Sequence, residues 1–582
     1  MAVIEETSAR QARLPHVDLR PARTGRHRGT RVPSASGQVL PVPPSVEQKY
    51  SYIYRELPLL VLTSLVSISC LLVSQVHFIR LNPWLLVFVP FLVFTVAYYL
   101  ISLRISLTSR NFPIRKHHDL VSTWRPLEYP SVDILLPICN EPISVLHNTW
   151  TYVGRLAEHY PGKVTVYVLD DGNDGRAARL AGQMSFEYLV RPNRGWFKKA
   201  GNLRHGYQQS GGEFLVIFDA DFCPREDFLH ETLPYMHAYP DLGIVQTPQY
   251  FRVNRRQTWM ERGAGAVQEL FYRVVQVSRD RLNGAICVGS CGVYRRAALD
   301  TIGGTALIEH SEDVHTGFGL SQAGWGLRYL PINLAMGLCP EDPDSFFVQQ
   351  YRWCAGSMSL LGSRTFWKSK LRRSTRLCYI SGFCYYVHTA VFTFITPLIP
   401  IVLIVTLPNQ VRLANYLWIL PSTVYNLVVF PLWNKTKFGL EALMARYLYG
   451  WSHAFAIWDI VRKRQMGWQS TGSGGKKNTG RMWKAIGWYG GLTSVTWAAV
   501  AAVRLVQYGF WNYIFLFATG VMYGTIVWMA FHSRKQGRRI IELPDRDGAD
   551  RADGAPSTID LPRSADQTRP ALDNGRGPRP AR

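Results

Sequence analysis

Acidic residues are in short supply. The 582-residue chain has 41 Asp and Glu against 65 Lys and Arg, a formal charge of +24. With 13% aromatic residues, that excess invites a nucleic-acid reading. Hydropathy argues against it and predicts no nucleic-acid partner, because several stretches are long and apolar enough to span a bilayer. The basic residues then serve as cytoplasmic anchors and as contacts for anionic headgroups and phosphates. Also lacking is any CxxC pair or metal-ligand spacing among the nine cysteines; Cys287 and Cys291 alone make no site. That excludes a zinc module or disulfide framework and implies reduced, mostly buried thiols in a chain facing the cytoplasm. No cleavable leader is expected, since the first apolar run follows a long basic tail. There is no internal repeat. Charges within the apolar stretches are sparse, which speaks against a transport path for ions.

What is present alternates between two textures. Residues 1–50 are rich in Arg, Pro, Ser and Gly and are expected to be a disordered basic tail. A transmembrane hairpin follows at 51–105, with spans Leu57 to Ile79 and Trp84 to Ile105. The tail before it and Arg110, Arg115 and Lys116 after it put both ends of the hairpin in the cytoplasm. Residues 106–370 have the texture of a soluble α/β domain. Strands are predicted at Val132 to Pro137, Val164 to Leu169, Phe214 to Phe218, Ile244 to Gln246 and Gly326 to Leu330. Helical stretches between them predict a mainly parallel sheet. The region 371–535 returns to the membrane. Its spans are Tyr379 to Leu407, interrupted by Pro397 and Pro400, then Tyr416 to Trp433, 483 to 506 and 512 to 532. Residues 439–461 carry apolar side chains at helical spacing but also Glu441, Ser452 and Asp459, so an interfacial helix is expected. A Gly/Ser/Lys loop at 467–481 and a disordered tail at 536–582 complete a layout of two plus four spans.

Polar clusters fall at the predicted strand ends, where open α/β sheets place ligands. They are Cys139-Asn-Glu-Pro142, Asp170-Asp-Gly-Asn-Asp174 and Asp219-Ala-Asp221. Asp219 and Asp221, one residue apart, suit a hard divalent metal while leaving coordination sites for phosphate oxygens. Asn140, Glu141 and Asp171 can meet the uracil and ribose of a nucleotide, and Lys199 can supply a cation. Further on come His310-Ser-Glu-Asp-Val-His-Thr316 and Gln349-Gln-Tyr-Arg-Trp353. Asp313 can act as a base toward a sugar hydroxyl, Arg352 can neutralise a leaving diphosphate, and Trp353 offers a face for a pyranose ring. Each cluster alone has an ordinary structural explanation as a turn, surface pair or packing residue. Five in this order do not coincide readily.

The set Val168-Leu-Asp-Asp-Gly172, Asp219-Ala-Asp221, Gln246-Thr-Pro-Gln-Tyr-Phe251, Ser311-Glu-Asp313 and Gln349-Gln-Tyr-Arg-Trp353 resembles the processive family 2 glycosyltransferases, and most of all the cellulose synthase catalytic subunits. The resemblance covers roughly residues 50 to 535. It implies a GT-A domain inserted between transmembrane helices, a UDP-sugar donor, Mg²⁺ or Mn²⁺, and inversion to a β-linked polymer secreted through the enzyme's own helices. Carried over by motif, Asp171 and Lys199 hold UDP, and Asp219 and Asp221 take diphosphate and metal. Asp313 is the general base, and Gln349, Arg352 and Trp353 frame the acceptor end and diphosphate. Gln246 and Gln249 belong to the acceptor site. The family pattern is altered at Ser311, where Thr is usual, and at Trp468-Gln-Ser-Thr-Gly472, which leaves Trp468 and Thr471 as gating candidates. The span layout is similar to that of hyaluronan synthases. No PilZ-like domain follows, so no cyclic-di-GMP site is expected. The implied product is a β-glucan made from UDP-glucose at the plasma membrane, with possible envelope subunits as partners. A β-1,3-glucan, chitin- or mannan-type synthase, a non-processive lipid-linked transferase, and a non-catalytic transporter or scaffold remain the alternatives.

Overall fold

Helices Leu57–Leu81 (α1) and Val89–Leu107 (α2) form the hairpin expected from hydropathy. Pro58 lies in the first turn of α1, where no intrahelical N–H is lost. At the bend, the Asn82 side chain accepts the Trp84 N–H at 3.0 Å and Pro83 opens a 3₁₀ turn into α2. The structure is a computed structural model that describes residues 40–108, 111–251, 253, 257–464 and 478–536. Trp468, Thr471 and most of both expected tails lie outside these residues.

Ten strands follow in the α/β domain. They are β1 (Val132–Ile138), β2 (Val164–Asp170), β3 (Glu187–Leu189), β4 (Phe214–Ile217), β5 (Cys223–Pro224), β6 (Leu242–Gln246), β7 (Tyr250–Phe251), β8 (Gly292–Arg295), β9 (Gly326–Tyr329) and β10 (Ala335–Gly337). Seven make one sheet in the order β3-β2-β1-β4-β8-β6-β9. All its pairings are parallel except those of β8, which runs against both β4 and β6. β1, β4 and β6 are buried throughout, as continuous apolar runs covered on both faces must be. A smaller sheet, β5-β10-β7, lies apart from it. Three helices of this region recur below: α3 (Lys198–Gln209), α4 (Glu312–Gln322) and α5 (Pro343–Leu361).

Among the described residues, six helical stretches are long and apolar enough to cross a membrane, two before the α/β domain and four after it. The first of the four is α6 (Arg373–Thr406), which runs unbroken past Pro397 and Pro400. The expected interruption does not occur. In hydrocarbon a helix is the backbone form that satisfies its own polar groups, and an interior proline bends it at less cost than breaking it. Helix α7 (Leu440–Val461) is not among the six, in line with its polar content. Yet three of its polar residues do not face water. Ser452, His453 and Asp459 are buried, and His453 Nδ1 lies 2.7 Å from Thr389 Oγ1 of α6.

Residues ahead of the hairpin are built into the α/β domain. Asn333 donates to the Gln48 carbonyl at 2.9 Å, and Arg225 donates to the Pro44 carbonyl at 2.5 Å. Tyr52 joins the domain's apolar core. Lys49 is buried against Asp227 (2.8 Å) and Glu231, and the second oxygen of Glu231 meets His117 Nε2 at 2.6 Å. Burial raises the Glu231 carboxyl, but His117 and Lys49 outweigh it and hold the group below its usual range. Burial likewise lowers the Lys49 ammonium, and the two carboxylates more than reverse this.

Removing one partner of a buried ion cluster leaves the others uncompensated, at a cost of about 3 kcal/mol or more. Lys49→Met is therefore expected to lower the thermal midpoint of the detergent-solubilised protein. The contribution of the lowered Glu231 is present above the ordinary carboxylate pKa and lost as pH falls through its depressed value. That of the raised Lys49 is present below its ordinary 10.5 and lost as pH rises through its elevated value. The gap between the two proteins should thus be widest near neutrality and close on acidification, which a melting series across pH will read.

Candidate active site

The parallel core brings the carboxyl ends of β1, β2 and β4 to one edge of the sheet, and a polar turn follows each. After β1, Asn140 takes the left-handed conformation (φ 64°), and Glu141 folds back to accept the Cys139 N–H at 2.5 Å. Burial, with the charges of Asp170 and Asp219, pushes the Glu141 carboxyl up to about 7. After β2, two neighbouring aspartates take different parts. Asp170 is fully buried and closes the turn, accepting from the Gly172 N–H (2.6 Å), the Asp174 N–H (2.9 Å) and the Tyr188 hydroxyl (2.6 Å). Asp171 accepts two bonds of 2.6 Å from the Arg191 guanidinium.

After β4, the Asp219 N–H donates to Ser290 Oγ at 3.0 Å, and the Asp219 carboxylate pairs with Lys199 from the first turn of α3. Lys199 also lies 3.7 Å from Glu312. Burial pulls its ammonium down, but Asp219 and Glu312 outweigh burial and hold it above its ordinary range. Asp221 is pushed up to about 7, first by burial and then by the charge of Asp219. Two carboxylates thus crowd together with one lysine between them and Glu312. Among the described residues no three His, Cys, Asp or Glu side chains gather as a metal-binding group. A cation here would rest on Asp219, Asp221 and oxygens of its ligand, a donor set that fits a hard divalent ion beside a diphosphate.

The third component is the start of α4. Ser311 enters it at φ 56°, and Glu312 and Asp313 occupy the first turn, where the helix dipole favours negative charge. Asp313 accepts the Val314 N–H at 2.8 Å. Burial and then Glu312 push its carboxyl up to about 7, while Lys199 pulls it down. α5 brings half-buried Gln349, Arg352 and Trp353, with Arg352 in electrostatic reach of Glu312 and Asp219. The close approach of α5 depends on Gly356, since a Cβ there would run into the Ser311 side chain. α5 is itself tied to α7, because the Tyr351 hydroxyl donates to Asp459 at 3.1 Å and Asp459 also accepts from Arg481 at 2.6 and 2.7 Å.

Asp219, Asp221, Lys199, Asp313 and Arg352 therefore converge, with Glu141 and Asp171 on neighbouring strand ends. The two glutamines of the Gln246 to Phe251 segment act at one remove. Gln246 is fully buried, donates to the Ser290 and Thr247 carbonyls at 2.8 and 2.9 Å, and accepts the Val288 N–H at 3.1 Å. Gln249 donates to the Val288 carbonyl at 3.1 Å and accepts the Tyr272 hydroxyl at 3.0 Å. Both amides hold the 288–291 loop, which sets Ser290 under Asp219 and Gly289 against the Asp313 carboxylate. Ser290 and Arg191 were not legible as site residues. An arginine two residues past a short strand beside a carboxylate-bearing strand end is the signal that marks Arg191.

Residues 214–433 match the family model Glycosyl transferase family group 2. Putative cellulose synthase 2 of Komagataeibacter xylinus is 31% identical over 337 residues, 56% of this chain and 22% of that protein. The cellulose synthase 1 catalytic subunit (UDP-forming) of the same organism is 34% identical over 262 residues, 44% of this chain and 35% of that protein. The chain is thus similar to cellulose synthases, and its residues 214–433 resemble the family 2 glycosyltransferases. It spans less than half the length of these curated relatives. Among solved structures, a mannosyltransferase from Pyrobaculum calidifontis in complex with GDP-Man and Mn²⁺ is similar, with a TM-score of 0.41 and 14% identity over 63% of this chain and 98% of that one. The expected α/β glycosyltransferase domain agrees with the mainly parallel sheet and the family match, and among the described residues it lies in the chain between helices long and apolar enough to cross a membrane.

Gly356→Val would wedge α5 away from Ser311 and so shift Arg352 and Trp353 relative to Asp313. Displacements of about 1 Å in a reacting site cost on the order of 100-fold. Sugar-transfer turnover should fall by that order while the thermal midpoint changes modestly, a pair of values obtainable from one purified sample.

Proposed function

We propose that this glycosyltransferase polymerises a UDP-sugar, most simply UDP-glucose, into a β-glucan with inversion at the anomeric carbon, and passes the product across the membrane through its own helices. One observation carries this reading. Asp313, a carboxyl near neutrality, shares an electrostatic neighbourhood with Lys199 and Asp219 on the donor side, while Arg352 on α5 reaches Glu312 and Asp219. A base, a diphosphate clamp and an acceptor helix in one neighbourhood are what glycosyl transfer to a sugar hydroxyl requires.

In this mechanism Asp171 and the Glu141 turn receive the nucleoside. Lys199 and Arg352 lie where the diphosphate oxygens gain charge, and Arg352 offers a planar fork to them. Asp219 and Asp221 would hold a divalent metal, Mg²⁺ or Mn²⁺, which supplies charge neutralisation to the leaving diphosphate. Trp353 and Gln349 orient the terminal sugar of the acceptor. Asp313 takes the proton from its hydroxyl as the oxygen bonds to the anomeric carbon and the bond from that carbon to the diphosphate breaks. Attack from the face opposite UDP inverts the centre and gives the β linkage. The excess of basic residues around the first hairpin supports a catalytic domain on the cytoplasmic side of the plasma membrane. The tie between α5 and α7 supports processivity, because the acceptor helix is fastened to the membrane region that would carry the product onward.

The test is to supply the protein in lipid vesicles with individually radiolabelled UDP-sugars and divalent metal, and to digest any polymer with linkage-specific hydrolases. UDP-glucose should give a β-glucan, and Asp313→Asn should abolish polymer while UDP binding persists. Transfer of a single sugar to lipid would favour the non-processive alternative. Loss of UDP binding in Asp313→Asn would move Asp313 into the donor site.

A further inference from the structure

We propose that Arg191 is a positioning residue that joins the nucleoside-side carboxylate Asp171 and the phosphate-side Lys199 into one rigid donor unit. The inference rests on the donor site as read above. Arg191 is 1% exposed and makes four bonds. Nε and Nη2 each donate to an oxygen of Asp171 at 2.6 Å, Nη1 donates to the Trp196 carbonyl at 2.6 Å, and Nη2 donates to the Lys198 carbonyl at 3.0 Å.

Those two carbonyls belong to an unusual turn. Phe197 and Lys198 stand at φ 48° and 50°, a left-handed pair that persists only where its surroundings enforce it. The residue that follows is Lys199, paired with Asp219 and 3.7 Å from Glu312. A single guanidinium therefore sets the orientation of Asp171 and also pins the turn from which Lys199 departs. The same bond leaves no room at Gly201, since a Cβ there would run into the Trp196 carbonyl oxygen and Arg191 Nη1. A purely architectural buried arginine would pair with a framework carboxylate, such as Asp133 or Asp170. Arg191 instead binds the aspartate at the ligand edge of β2. Lysine cannot replace it, because an ammonium has no planar fork to serve a carboxylate and two carbonyls together.

The experiment uses the full-length protein in detergent micelles with Mg²⁺ and radiolabelled UDP, comparing wild type, Arg191→Lys, Asp171→Asn, the double variant and Gly201→Ala. Arg191→Lys and Asp171→Asn should each weaken UDP binding by about tenfold or more, and the double variant should be no weaker than the worse single one, because the two act as a unit. Gly201→Ala should weaken UDP in the same direction with every charge intact. In turnover, the KM for the sugar nucleotide should rise more than kcat falls. A merely structural role would reduce the folded fraction and so the apparent kcat, leaving KM and Kd unchanged. Wild-type UDP affinity in both Arg191→Lys and Gly201→Ala, or losses that add in the double variant, would overturn the proposal. Should Arg191→Lys fail to fold, Gly201→Ala decides alone. A wild-type protein that binds no UDP defeats the donor reading first and this proposal with it, which is visible before any variant is measured.

Discussion

Carboxylates gathered at the ends of adjacent parallel strands repel one another, and the site depends on the cations fixed among them. Glu141, Asp171, Asp219 and Asp221 come from three strand ends, and Glu312 and Asp313 from the first turn of a helix. Burial raises Glu141, Asp221 and Asp313 toward neutrality. Lys199, Arg191 and Arg352 divide the compensation, one at Asp219, one at Asp171 and one on α5. On the proposed reading, a divalent cation brought in with the sugar nucleotide would offset part of the negative charge that remains.

Much of this was legible in the chain. Continuous apolar strands ending in Asp or Asn turns gave the sheet and its ligand edge, because burial on both faces leaves no room for alternation. The spans were legible for the same reason, and six helices of membrane length stand where hydropathy put them. β8 was not, because Gly292-Val-Tyr-Arg295 is short and begins with glycine, so its antiparallel place between β4 and β6 comes from tertiary pairing. Ser290 escaped because its partner Asp219 is 71 residues away, and Arg191 because its pairing with Asp171 is made only when β2 and β3 lie side by side. Gln246 and Gln249 looked like polar contacts for an acceptor, and the structure uses their amides on a loop, since a buried amide must find partners wherever they are nearest.

The membrane and the α/β domain meet through α5 and α7. A helix carrying Ser452, His453 and Asp459 is unsuited to lipid on all sides, and the structure covers it with α5 and α6. Asp459 serves Tyr351 and Arg481 together, so α5 and the stem of the next membrane-length helix share a single buried carboxylate. Movement of one is then felt by the other, which under the proposed function would link bond formation to product movement.

The strap ahead of the hairpin bears on how the protein can be divided. Hydropathy alone would draw the soluble portion as beginning after the second span. A recombinant fragment cut there would leave Asp227, Glu231 and His117 without Lys49, Asn333 without the Gln48 carbonyl, and a gap in the apolar core where Tyr52 belongs. The catalytic unit is discontinuous, with the lipid-embedded hairpin looping out of it as an insertion.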